Sequence, residues 1–152
     1  SVQAVSPLPK SYWSLNMYDK IIVPMTLDHG IGPAAVKVAR KLLNDGGKII
    51  ALHIHEEVQG SVSAYLDKDV VKESYNRAKA ELDKRIEAQP DVSADIIAGH
   101  SGRSIVDFAA ANKADCIVIG SHKPGLIDYL LGSTAARVLR HAPCAVHVLR
   151  NT

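Results

Sequence analysis

Four apolar residues in a row, Cys116-Ile-Val-Ile119, stop at Gly120, and they constrain this chain more than any other stretch. A strand with one wet face alternates apolar and polar residues. A strand without alternation needs cover on both faces. Beyond a loop, a second small-residue cluster, Gly132-Ser133-Thr134, opens a helical pattern that runs from Ala135 to His141. A doubly covered strand between helices belongs to a parallel sheet lying between two helix layers.

The rest of the chain repeats the alternation. Strand one is read over Lys20 to Pro24, and the first helix starts at Pro33, carries Val36, Ala39, Leu42 and Leu43, and stops at Gly46-Gly47. Strand two is read over Lys48 to Ile54, followed by a polar loop from His55 to Leu66. A long helix over Asp67 to Ala88 has the stripe Val71, Tyr75, Ala78, Leu82 and Ile86. Strand three is read over Val92 to Ala98, and the next helix over Arg103 to Asn112 turns Ile105, Val106, Ala109 and Ala110 inward. Strand five is Ala145 to Leu149. The expected fold class is therefore α/β: a single-domain open parallel five-stranded sheet with helices on both faces, joined by right-handed crossovers.

Composition sets the bounds. With 152 residues, 47% of them hydrophobic and 22% charged, one domain with its own core is expected, and one Trp and one Phe make that core aliphatic. A net charge of +2 is too mild to argue for nucleic acid or an anionic membrane as partner. No apolar run reaches membrane-span length and the N-terminus shows no signal-peptide core, so a cytoplasmic protein is expected. Cys116 and Cys144 form no CxxC and read as free thiols, with a bridge between strands as the alternative. Residues 1–16, with Pro7, Pro9 and Tyr12-Trp13, match nothing that follows and read as a leader or arm before a domain spanning 17–152.

The chemistry points to an anion site. Glycine allows close backbone approach, and a helix start with Ser or Thr offers N–H groups and the positive end of the helix dipole. Gly120 together with Gly132, Ser133 and Thr134 would face phosphates, with Lys123 as a cationic partner. Ile54 and Ile119, at strand ends, would flank a purine; the alternative is that both are core and that the glycines only punctuate turns. Two look-alikes fail. Gly120 and Gly125 have P-loop spacing, but Leu126-Ile127 replaces the Lys-Ser/Thr that grips phosphate and magnesium. Gly30-Ile-Gly32-Pro-Ala-Ala35 spells a dinucleotide fingerprint, yet Met25 to His29 separate it from the strand and Pro33 interrupts it. Gly99-His-Ser-Gly-Arg103-Ser104 is a further rim candidate, read first as a turn in which Ser101 or Ser104 caps a helix. His29, His55, His100 and His122 fall near strand ends beside Glu56 and Glu57, without metal-ligand spacing, so no metal is assigned. No GxSxG elbow or triad order is present, and no catalytic residue is assigned.

From Gly120 to Thr134 the chain resembles the universal stress protein family, whose nucleotide-binding members carry Gly, two residues, Gly, nine residues, then Gly-Ser/Thr. Gly120 and Gly132-Ser133 match the ends. Lys123 replaces the middle glycine with a spacing one residue shorter, as in a subgroup with Gly-Ser-x-Lys/Arg-Pro before Leu-Leu-Gly-Ser. The resemblance spans Tyr18 to Arg150 and implies strand order 3-2-1-4-5. It also implies a cytoplasmic stress-response dimer, joined through the C-terminal strand, that binds ATP, with or without magnesium, or another adenine nucleotide. A dimer that binds no nucleotide and a slow nucleotide-hydrolysing enzyme are the alternatives. Ile54 matches a family position beside the base, and Thr26 stands where strand one usually ends in an acid near adenosine, with Asp28 two positions on.

Overall fold

The computed structural model describes residues 17–27, 32–56, 67–121 and 131–150. The elements in chain order are β1 (Tyr18–Pro24), α1 (Gly32–Leu42), β2 (Leu43–Glu56), α2 (Lys68–Ile86), β3 (Val92–Gly99), α3 (Ser101–Ala111), β4 (Cys116–Gly120), α4 (Ser133–His141) and β5 (Ala145–Leu149). All strand pairs are parallel, in the order β3-β2-β1-β4-β5 expected from the resemblance.

The four-residue run of β4 feeds two cores alternately. Cys116 and Val118 join Ile21, Val23, Ile49 and Ala51 under α1 and α2, with Ala35, Val36, Ala39 and Leu82 from the helices. Ile117 and Ile119 join Ile22, Leu52 and Ile54 on the opposite face, under Ile105 and Ala109 of α3 and Val138 of α4. Period-two side chains in a central strand thus reach both helix layers, which is why no polar position interrupts the run. The start of β4 is locked to β1 by Asp115, whose carboxylate accepts from the backbone N–H groups of Asp19 and Lys20, both at 2.9 Å, while its own N–H donates to the Lys20 carbonyl.

The two thiols are free, and they lie on opposite sides of the sheet: Cys116 is buried in the α1–α2 core, and Cys144 packs against the α3–α4 core. No bridge joins them. Burial pushes the Cys116 thiol up to about 11 and also raises that of Cys144.

Three local expectations are corrected. Leu43 does not end α1. It opens β2, opposite Tyr18, and the register then slips so that Lys48 meets Lys20. The Gly46-Gly47 pair makes this bulge rather than a stop: Gly46 has φ +78, and a Cβ on Gly47 would lie 2.8 Å from the Asp19 carbonyl oxygen. In α2, Val71 is 46% exposed instead of inward. Tyr75, one turn on, is half-buried, donating its hydroxyl to the Ile96 carbonyl at 3.2 Å and meeting His55 edge-on. In α3, Ala110 is exposed and Phe108 packs on the core in its place.

Candidate functional site

The carboxyl ends of β4 and β1, with the N-terminus of α4, form the region singled out by sequence. The chain leaves β4 at Gly120 and turns through Ser121, which is fully buried. The Ser121 N–H donates to the Leu149 carbonyl at 2.7 Å, and the Ser121 carbonyl accepts from the Gly132 N–H, also at 2.7 Å. One buried serine thus ties the end of β4 to β5 and to the start of α4. In the sequence it is a small residue directly after a strand-ending glycine, the Ser of Gly-Ser-x-Lys/Arg-Pro, and no role is read from it there.

Gly132 is the N-cap of α4 and supplies no side-chain cap. The first intrahelical bond runs from Ala136 N–H to the Gly132 carbonyl at 2.9 Å. The N–H groups of Ser133, Thr134 and Ala135 precede that bond, so they have no partner within the helix. Ser133 is exposed and Thr134 half-buried. With φ −62 and ψ 154, Gly132 has a backbone any residue adopts. Conformational freedom is not the reason for a glycine there. Lys123 lies outside the described residues, as do Asp28, His29, Glu57 and His122.

On the β1 side, Thr26 is exposed just beyond the strand. The residues flanking it are held: Met25 N–H donates to the Leu52 carbonyl at 2.8 Å, and His53 Nδ1 donates to the Met25 carbonyl at 3.1 Å. Gly32 serves this loop. A Cβ there would stand 2.3 Å from Met25 Cε, so the second glycine of the dinucleotide look-alike makes room for a methionine. Ile54 and Ile119 are 8% and 6% exposed and belong to the α3–α4 core, at its upper edge. The structure therefore gathers Gly120, Gly132, Ser133 and Thr134 around Ser121, and it seats both isoleucines in the packed layer of that face.

The rim candidate differs from expectation. His100, not Ser101 or Ser104, is the N-cap of α3 and makes no side-chain cap bond. Ser101 Oγ instead donates to Glu56 Oε1 at 2.5 Å, joining α3 to the end of β2. Arg103 is exposed and only loosely paired with Asp107, at 3.7 Å. Gly102 lets α4 approach: a Cβ would lie 2.8 Å from Arg137 Cδ. Among the described residues, no three His, Cys, Asp or Glu side chains stand together as metal ligands, and no helix is long and apolar enough to cross a membrane. A shallow depression of about 280 Å³, lined by Leu27, His55, Ser74, Arg77, Ala78 and Glu81, lies on the other face of the sheet, beneath α2.

An open parallel sheet of order 3-2-1-4-5, with a helix N-terminus brought to the end of its fourth strand, defines a doubly wound α/β protein, a class in which ligands bind outside the carboxyl ends of the strands. The chain belongs to the universal stress protein family: the family model matches residues 17–150. Universal stress protein G of Shigella flexneri is 29% identical over 145 residues, covering 88% of this chain and all of its own length. Among solved structures, universal stress protein UspA from Lactobacillus plantarum superimposes with a TM-score of 0.70 at 23% identity, over 88% of this chain and 98% of its own. A universal stress protein in complex with cAMP gives 0.58 at 22% identity, over 90% of this chain and 100% of its own. The Archaeoglobus fulgidus universal stress protein in complex with dAMP gives 0.54 at 20%, over 88% and 99%.

Proposed function

We propose that this chain binds an adenine nucleotide, with ATP as the first candidate, across the carboxyl edge of its sheet, and that ligand occupancy serves a stress-associated regulatory or protective role. The observation that carries this reading is the 2.7 Å bond from Gly132 N–H to the Ser121 carbonyl, which holds the α4 N-terminus against the end of β4. Phosphates would meet the N–H groups of Ser133, Thr134 and Ala135, the Thr134 hydroxyl and the backbone at Gly120, where helix dipole and unshared donors favour negative charge. Lys123 would add a charge from the connecting segment. Adenosine would lie toward Thr26, over the ledge formed by Ile54 and Ile119. The nucleotides carried by the cAMP- and dAMP-bound family members support the class of ligand. Magnesium, if used, would be carried by the polyphosphate.

Calorimetric titration with ATP, ADP and AMP, with and without magnesium, tests the reading. Saturable heat with at least one nucleotide is expected, and Gly132→Val should abolish it without unfolding the protein, since the Gly132 backbone suits any residue. No heat together with an unshifted melting temperature overturns the proposal.

The same reading includes a homodimer through β5, which is an edge of the sheet. The Leu149 carbonyl faces β4, so by strand alternation the N–H groups of Val146 and Val148 face the open edge. A second β5 would find them there.

A further inference from the structure

We infer that the nucleoside side of the site is set from behind the sheet, by Arg85 of α2 and His53 of β2 acting as positioning residues for Thr26. This rests on the nucleotide reading above.

The segment from Met25 to Leu27 is fastened at three backbone points. Met25 N–H donates to the Leu52 carbonyl, His53 Nδ1 to the Met25 carbonyl, and Arg85 Nη2 to the Leu27 carbonyl. The Met25 and Leu27 side chains pack into the α1–α2 core, and Met25 fills the space left by Gly32. Thr26, between them, is exposed. A strand-end loop would ordinarily be free to sample many backbone states. Here both neighbours of one residue are held by carbonyl contacts and by half-buried side chains packed on the far face, which leaves Thr26 little choice of direction.

Arg85 is the least expected member. It comes from a helix that contributes only Leu82 to the fully buried core. It spans from α2 to a loop carbonyl while pairing with Glu81 Oε1 at 3.3 Å. A surface i,i+4 pair alone does little for stability. Arg77, two turns earlier, has the same pairing with Glu73 at 3.3 Å and, among the described residues, no bond to Met25, Thr26 or Leu27. Among the described residues, Arg85 adds the Leu27 carbonyl to that pairing, and its side chain is less exposed, 31% against 78%. Releasing that carbonyl lowers the fraction of molecules in the binding-competent loop state, and apparent affinity falls by that fraction.

The test compares wild type, Arg85→Met, Arg85→Lys and Arg77→Met by calorimetry with AMP and by amide hydrogen exchange. Losing one hydrogen bond to the loop should weaken AMP binding by about fivefold and speed exchange at Met25 to Leu27. Arg85→Lys, still a donor to a carbonyl, should recover most of both, and Arg77→Met should match wild type. If wild type binds AMP and Arg85→Met binds it within twofold, or if Arg77→Met weakens it equally, the positioning role is overturned while the nucleotide site stands. If wild type binds none of AMP, ADP and ATP, the nucleotide reading falls and this inference falls with it, even where the exchange difference persists; if it binds ADP or ATP but not AMP, the same comparison is read with that nucleotide.

Discussion

Ile119 can be a wall of the ligand crevice or part of the packed core, and replacing it with alanine separates the two. At 6% exposure it is packed with Ile54, Ile117 and Val138 on the α3–α4 face. The substitution removes three carbons, worth about 2.4 kcal/mol at ~0.8 kcal/mol per buried CH₂. A residual cavity on the order of 40 Å³ adds about 1 kcal/mol. The sum, about 3.4 kcal/mol, is a large part of the roughly 5–15 kcal/mol that a domain holds. In urea, with a slope of about 2 kcal/mol per molar, the midpoint should fall by about 1.7 M at unchanged slope. Ile117→Ala, at a site with no exposure on the same strand and face, is the yardstick. Ligand-free denaturation of both variants is the assay. A loss below about 1 kcal/mol for Ile119→Ala beside a full loss for Ile117→Ala would refute the packing argument and make Ile119 a ligand-facing residue.

Two further outcomes follow from the geometry. Val148→Pro removes an N–H that faces the open edge and leaves the β4–β5 ladder its bonds, so solution mass should fall to that of a monomer with melting little changed; sedimentation reads this, and an unaltered mass would point to another interface. The Cys116 thiol is pushed up to about 11 by burial, so the folded protein keeps a proton that the unfolded chain releases near pH 9. Unfolded molecules then bind fewer protons, and stability should drop between pH 9 and 11 by up to about 2–3 kcal/mol. Urea midpoints of wild type and Cys116→Ala at pH 8 and 10.5 measure it. An equal drop in both proteins would refute it.

The order of elements, the aliphatic two-sided core and the glycine-bounded end of β4 were legible because each depends on local periodicity or on a short motif. Other features were not. Gly46-Gly47 reads as a stop, yet tertiary pairing of Leu43 with Tyr18 turns it into a bulge. The α2 stripe predicts burial for Val71, which is exposed, because burial also needs a packed surface opposite and local periodicity does not supply one. Ser121 and Asp115 look like ordinary polar residues. Their roles come from partners far along the chain, Leu149 and Gly132 for one, Asp19 and Lys20 for the other.

By itself, the sequence determined a parallel α/β sheet, because a strand such as Cys116 to Ile119, apolar at every position, is stable only between two helix layers. It also determined where an anion site would be sought, because small residues at a strand end and a helix start are written locally. The tertiary structure decided how those pieces meet. It placed Ser121 between β4, β5 and α4, gave Gly32 to Met25, seated Ile54 and Ile119 in the packed layer, and brought Arg85 to the loop beside Thr26. These are contacts between residues distant in sequence, and no local pattern encodes them. They arise only when the strands take their order and the helices settle on their faces.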